Sequence, residues 1–186
     1  MNFAKKLLIQ EAIKSILQNI GEDINREGLI KTPERVCKSY SEMFNGYGID
    51  IAKIFEAQFT NENNNKNIIL IKKIEYKSMC EHHMLPVIGY ANIAYIPNEK
   101  VLGLSKFTRI VHAFSNRLQL QERMTKQIID AIMQYLNPLG VAVHLSAKHY
   151  CMIMRGVKQV AEVDTFDFDG IFLEENYQNK FLQLIK

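Results

Sequence analysis

Two short segments of the sequence concentrate cysteine and histidine, whose thiolate and neutral imidazole groups are the ligands that zinc prefers. The first is Cys80-Glu81-His82-His83 and the second is His149-Tyr150-Cys151. The Cys-x-x-His spacing of Cys80 and His83 lets one tight turn direct both side chains to a single point, and Cys151 can supply a third ligand. Three protein ligands leave one position open for water, as in a hydrolytic metal site. The alternative is a set of buried thiols and packed histidine rings.

His82 and His149 stand beside the predicted ligands without being needed as ligands. Imidazole titrates near neutral pH and can give or take protons there, so we expect acid–base roles for both rings. The alternative is that they only support the metal ligands through hydrogen bonds.

A second group of residues is basic. Lys106 and Arg109 lie three residues apart on one face of a predicted helix that begins at Ser105, and a helix start offers free N–H groups to an anion. Arg155 and Arg35 add two more guanidinium groups. Taken together they indicate a polyphosphate ligand, whereas each taken singly is an ordinary surface charge.

Gln121-Glu122-Arg123 forms a third polar group. A carboxylate can accept paired N–H donors from the edge of a guanine base, by the geometry that pairs acidic side chains with base amino groups. The same three residues could equally be a polar helix start with an acid in its first turn.

The composition of the chain limits the classes of protein to which it can belong. The chain has 186 residues, 47% of them apolar, and its charge is nearly balanced at 23 Lys and Arg against 20 Asp and Glu. This predicts a packed core and gives no reason to expect nucleic acid or a membrane as partner. The N-terminus continues into a helical pattern rather than a signal peptide, and three cysteines do not suit a disulfide scaffold. We therefore expect a cytoplasmic protein.

Hydrophobic periodicity predicts mainly helix in the first third of the chain. Apolar residues from Leu7 to Ile20 recur at helical spacing until Gly21. Thr32-Pro33 predicts a second helix with Thr32 as N-cap, ending near Gly46. An Asn-rich loop at 61–67 follows, so we divide the chain into an N-terminal helical region, 1–60, and a second domain, 61–186.

The element order predicts an α+β fold with an antiparallel sheet and helical pairs for the second domain, and the helical region 1–60 is its N-terminal extension. The predicted elements alternate in pairs of strands and helices. Strands are predicted over 68–79, 87–96, 141–145 and 152–160. Helices are predicted from Gly103, over 124–136 and over 172–185.

Several motifs in order resemble one known family, GTP cyclohydrolase I. The similarity extends from about Ile13 to Gly170 and rests on these segments: Asn25-Arg26-Glu27-Gly28-Leu29, Thr32-Pro33-Glu34-Arg35-Val36, Cys80-Glu81-His82-His83, Gly103-Leu104-Ser105-Lys106-Phe107-Thr108-Arg109, Gln119-Leu120-Gln121-Glu122-Arg123-Met124-Thr125 and His149-Tyr150-Cys151-Met152-Ile153-Met154-Arg155-Gly156. The resemblance implies the tunnelling fold and a homodecamer with active sites at subunit interfaces. It also implies conversion of GTP and water to 7,8-dihydroneopterin triphosphate and formate, the first step of tetrahydrofolate and pterin biosynthesis.

The family pattern assigns a role to each motif. Cys80, His83 and Cys151 correspond to zinc ligands, and His82 and His149 to catalytic histidines. Gln121 and Glu122 correspond to the guanine-recognition pair. The triphosphate pocket corresponds to Arg35, Ser105, Lys106, Arg109 and Arg155.

One segment departs from the pattern. The family usually has a run rich in Thr and Ser after Lys158, but here 163–170 keeps Thr165 and brings in Asp164, Asp167 and Asp169. Beside a triphosphate these acids would oppose binding electrostatically. Two other functions stay open: a related tunnelling-fold enzyme acting on another purine or pterin, and a non-catalytic zinc-stabilised binding module.

Overall fold

A computed structural model describes residues 3–186, and the chain divides into two compact units, one up to Asn45 and the other from Gly46. The N-terminal unit holds two helices, α1 (Phe3–Asn19) and α2 (Thr32–Met43). Both helices were predicted, but Thr32 is not the N-cap. Lys31 holds that position, and the Thr32 hydroxyl instead donates a hydrogen bond to the carbonyl of Gly28, 3.3 Å away.

The larger unit is built on β-strands, whose bounds are β1 Gln58–Thr60, β2 Ile69–Cys80, β3 Pro86–Ile96, β4 Lys100–Leu102, β5 Leu118–Gln119, β6 Gly140–His149 and β7 Glu162–Gly170. Five of them form a sheet in the order β5-β2-β3-β6-β7, in which every neighbouring pair is antiparallel except β2 with β5. A separate antiparallel pair joins β1 to β4.

Helices cover the sheet. Their bounds in the larger unit are α3 Ile51–Ile54, α4 Leu104–Ser115, α5 Gln121–Leu136, α6 Tyr150–Ile153 and α7 Glu175–Ile185. The chain also forms 3-10 turns at Asn45–Gly48 and Ile171–Leu173. Because side chains alternate between the faces of a strand, Ile93 and Val143 face the main core with α4 and α5. Ala94 and Ala142 face the other side, where α7 packs Phe181 against them.

The mixed α+β class with an antiparallel sheet is confirmed. The strand predicted over 152–160 is wrong: the chain leaves the sheet after His149, forms α6, and re-enters it only at Glu162. Gly156 and Lys158 have positive φ angles of 62° and 49°, which an extended strand does not use. The division of the chain at residue 60 into a helical region and a catalytic domain stays a prediction.

Within the part of the chain that the structure describes, no helix combines the length and apolar character needed to cross a bilayer.

Candidate metal centre and active site

The turn between β2 and β3 carries the first two metal-ligand candidates. Cys80 is the last residue of β2, and its N–H donates to the carbonyl of Leu85 while its carbonyl accepts from Met84, at 2.9 and 2.8 Å. Met84 has a positive φ of 50°, which closes this tight turn. The turn brings Nδ1 of His83 to 3.9 Å from Sγ of Cys80, as the Cys-x-x-His spacing predicts.

Cys151 joins these two residues because of strand register. His149, at the end of β6, pairs with Val87 near the start of β3, so the chain enters α6 beside the β2–β3 turn. The ligand atoms of Cys80, His83 and Cys151 all lie within 4.8 Å of one another. Burial, followed by the neighbouring Cys80 thiol, raises the pKa of the Cys151 thiol.

The donor set fits a metal ion. Two thiols and an imidazole converge, and this combination suits a divalent metal that accepts sulfur and nitrogen ligands. A bound cation would stabilise both sulfurs as thiolates, the form in which cysteine ligates a metal. Three protein ligands leave room for one more, which is the arrangement expected from the sequence.

The second nitrogen of His83 contacts Arg155. Nη1 of Arg155 lies 2.9 Å from Nε2 of His83, and guanidinium only donates, so Nε2 accepts here. A neutral ring then carries its proton on Nδ1, the nitrogen that faces Cys80. Ligation through Nδ1 therefore requires Arg155 to release the ring, because a ligating neutral imidazole keeps its proton on the other nitrogen.

His149 is half-buried and directly hydrogen-bonded to Gln121. Its Nε2 lies 2.7 Å from Oε1 of Gln121, at the start of α5. Burial lowers the pKa of His149, and the carboxylate of Glu122 opposes this effect. Burial of the ring therefore favours the neutral imidazole. The side chain of Glu122 is exposed on the first turn of α5.

His82 is exposed on the β2–β3 turn, with its ring edge-on to that of His83 at a centroid distance of 6.2 Å. The side chain of Glu81 on the same turn accepts from Nη2 of Arg123 at 2.5 Å. Arg123 was singled out from the sequence only as a neighbour of Glu122. Its contact with Glu81 could not be found from spacing, because the two residues belong to different elements.

The other residues predicted for the triphosphate pocket lie on two helices. Ser105 and Lys106 lie in the first turn of α4 and Arg109 near its middle, whereas the last residues of α4 lead to β5, which pairs with Cys80. Arg35 is exposed in the first turn of α2, in the N-terminal unit.

The acidic segment has partners of its own. Asp164 contacts Nε2 of His144 at 2.7 Å. Asp167 and Asp169 accept from the backbone N–H groups of Phe168 and Gly170. Thr165, the residue that this segment shares with the usual pattern, faces α5 and contacts Thr125 and Gln121.

Fold and site together define a mixed α+β protein in which a cysteine–histidine cluster that could hold a metal ion lies beside a hydrogen-bonded histidine. The model of one family, GTP cyclohydrolase I, matches residues 9–186. The chain belongs to the GTP cyclohydrolase I family, which confirms the resemblance found in the sequence.

The relatives include three proteins named GTP cyclohydrolase 1. The Rickettsia felis protein is 52% identical over 177 residues, covering 94% of this chain and 93% of its own. The Rickettsia bellii protein is 50% identical, covering 94% and 92%. The Rickettsia typhi protein is 46% identical over 187 residues, covering 100% and 98%. Among solved structures, an apo archaeosine synthase QueF-Like superposes with a TM-score of 0.44 and 19% identity, covering 54% of this chain and 92% of its own.

Proposed function

We propose that this protein opens the imidazole ring of GTP with water and rearranges the product, releasing formate and 7,8-dihydroneopterin triphosphate. This is the first step of tetrahydrofolate and pterin biosynthesis. The observation that carries the proposal is the convergence of Cys80, His83 and Cys151 beside His149, in a chain that belongs to the GTP cyclohydrolase I family.

Zinc is the metal that we assign to this centre, held by Cys80, His83 and Cys151. When bound, zinc is a Lewis acid that makes water nucleophilic near neutral pH. The two histidines move the protons of the reaction. We assign to His149 the protonation of a ring nitrogen of the purine, and to His82 the proton transfers of ring opening.

Glu122 recognises guanine in this proposal, and the family resemblance predicts Gln121 as the second residue of the guanine-recognition pair. The exposed carboxylate of Glu122 lies on the residue after Gln121, so it can accept the paired N–H groups of the guanine edge near His149. This contact orients the base so that its reactive carbon faces the metal centre, which lowers the barrier by positioning.

The triphosphate pocket comprises Ser105, Lys106 and Arg109 together with Arg155 and Arg35. Arg155 contacts His83 of the metal cluster, whereas Ser105 and Lys106 begin α4 and it is the last residues of α4 that lead to β5 beside Cys80. We infer that a second copy of the chain supplies the α4 residues, so that each site lies at a subunit interface. Binding energy from the triphosphate then holds the base in place during the chemistry.

The assembly that we propose is a homodecamer of the tunnelling fold. Two features support association. Within residues 3–186, β7 pairs only with β6, and β5 covers β2 only at Met79 and Cys80, so both sides of the sheet present unpaired strand edges. In the N-terminal unit, Phe3, Leu8 and Ile20 of the α1 segment are 69–76% exposed. Light scattering should give about ten times the 21.6 kDa mass of one chain.

The protein is proposed to be cytoplasmic. Cys37, Cys80 and Cys151 are all free thiols, the state that a reducing compartment maintains.

The assay that tests the function is formate release from GTP, followed together with the absorbance of the pterin product. Equal amounts of formate and pterin are expected from GTP, with far less from guanosine. Equal turnover of GTP and guanosine would favour a related tunnelling-fold enzyme that does not use the triphosphate. No formate from zinc-loaded protein, together with disassembly on chelation, would favour a non-catalytic binding module.

A further inference from the structure

We propose that Gln121 is a positioning residue that holds His149 with its Nε2–H bonded and its Nδ1 free to exchange protons. This inference rests on the proposed function, because it concerns the histidine that transfers protons there. It differs from the role that the family resemblance gives to Gln121, which is a contact with guanine.

The orientation of the Gln121 amide follows from its surroundings. Its Nε2 lies 3.0 Å from the carbonyl oxygen of Leu145 and 2.7 Å from that of Val163. Carbonyl oxygens only accept hydrogen bonds, so the NH₂ group must point towards β6 and β7. Oε1 therefore faces the opposite way, towards His149.

Two threonines support the same orientation. The Thr125 hydroxyl donates its only proton to the backbone carbonyl of Gln121 at 2.8 Å. Oγ1 of Thr165 lies 2.7 Å from Oγ1 of Thr125, so Thr165 must be the donor of that pair. The remaining lone pairs of Thr165 face Nε2 of Gln121, 3.3 Å away, and can share one of the two amide protons that the carbonyls of Leu145 and Val163 accept.

The consequence for His149 is a single tautomer. Oε1 of Gln121 only accepts, so Nε2 of His149 must carry a proton at the observed distance of 2.7 Å. A neutral ring then leaves the lone pair on Nδ1. Holding one tautomer and one ring orientation removes arrangements in which the wrong nitrogen would face the substrate.

Gln121 is poorly placed to bind guanine with its side chain. It is buried, with 6% of its surface exposed, and both polar atoms of its amide already have partners. A guanine contact would break at least one of these hydrogen bonds, leaving a buried polar group without a partner. Glu122, exposed on the next residue, has no such restriction.

The test uses two kinds of variant in the full-length, zinc-loaded protein. Gln121→Met keeps the length of the side chain and removes both polar ends. Thr165→Val removes a hydroxyl that contacts the Gln121 amide and Thr125, and Thr165→Ser keeps that hydroxyl as the matched control. Each protein is measured for kcat and KM with GTP. Its histidine ring nitrogens are observed by ¹⁵N NMR at about pH 8, where unperturbed imidazole is neutral. The His149 signals are assigned by their loss in His149→Ala.

We expect the unchanged protein to show the Nε2–H tautomer of His149. Gln121→Met should lose that signature and lower kcat by about 10- to 100-fold, with KM for GTP changed by less than about 2-fold. Thr165→Val should lower kcat by about 5-fold, the equivalent of one lost hydrogen bond, and Thr165→Ser should restore it. If Gln121→Met does not fold, the Thr165 pair supplies the same comparison.

Two outcomes overturn the inference. One is an Nδ1–H or averaged tautomer in the unchanged protein. The other is a rise in KM with kcat retained in Gln121→Met, which is the signature of a guanine contact. Failure of the proposed function looks different: the unchanged protein would release no formate from GTP, while its NMR spectrum would still report the His149 tautomer.

Discussion

Nη2 of Arg123 lies 2.5 Å from Oε2 of Glu81, which joins the first turn of α5 to the turn that carries His82 and His83. Arg123 also donates from Nε to Oε1 of Gln119 and from Nη2 to the carbonyl of Leu118. One guanidinium therefore holds together β5, α5 and the β2–β3 turn. The turn carries Cys80 and His83, and α5 carries Gln121, which contacts His149.

Arg123→Met should lower the free energy of unfolding by about 1–3 kcal/mol, because it leaves Glu81 and two further acceptors without their donor. Lys126→Met is the matched control on the same helix. It breaks the Lys126–Asp130 pair, whose side chains are more than half exposed, and should cost no more than about 0.5 kcal/mol. Urea unfolding of the two variants makes the comparison, and equal losses would contradict a special role for Arg123.

Cys151→Ala should abolish stoichiometric metal binding. The purified protein is expected to contain about one zinc per chain by elemental analysis, and two remaining ligands hold zinc weakly. Cys37→Ala is the control, because Cys37 is a buried thiol of the N-terminal unit near the carbonyl of Lys6 and is not one of the three converging residues. It should keep its zinc. Full metal content in Cys151→Ala would contradict the assignment of three metal ligands.

His149→Ala should bind zinc normally and turn over GTP at least about 100-fold more slowly, because the proton-transferring group is gone while the metal ligands remain. His112→Ala serves as the control. His112 lies on α4, where its ring contacts the carbonyl of Glu75, and its loss should change kcat little. Pterin absorbance reports both rates. Near-normal turnover in His149→Ala would reject the catalytic role.

Mixing two inactive variants tests whether sites are shared between copies. Lys106→Met removes a triphosphate contact and Cys151→Ala removes a metal ligand, so each homo-oligomer should be nearly inactive. If α4 of one copy completes the metal centre of another, hybrid oligomers made by co-expression regain some intact sites. The measurement is formate release per total chain. Activity no higher than that of the separate variants would place both residues in a site within one chain.

Acid should erase the contribution of Asp164 to stability. Burial raises the pKa of its carboxyl, but hydrogen bonds from His144 and Ser146 outweigh this and lower the pKa below its ordinary value. A folded-state pKa below the unfolded value of about 3.9 stabilises the fold above that pH, and the effect is lost as the pH falls through the folded pKa. Asp164→Asn should therefore be less stable near neutrality.

The difference in urea midpoint between the unchanged protein and Asp164→Asn should shrink as the pH falls below about 4. A difference that is the same at neutral and strongly acidic pH would show that the carboxylate charge does not stabilise the fold.

Local patterns predicted the elements well because helix and strand periodicity depends on residues a few positions apart. The helix stop after Leu136 is an example: Asn137 takes the left-handed conformation, with φ at 50°, and ends α5. The segment 152–160 shows the limit. Its sequence resembles a strand, but the hydrogen-bonded ladder decides where a strand exists, and β6 pairs with residues beginning only at Glu162.

The sequence by itself determined the family, the chemical character of the site and the tight turn that joins Cys80 to His83, because motif order and short spacings are local properties. Only the tertiary structure decided how Cys151 reaches that turn and how Gln121 holds His149. Those contacts depend on the register between β3 and β6 and on the docking of α5 against β7. Such relationships join residues far apart in the chain, and no spacing within a single segment encodes them.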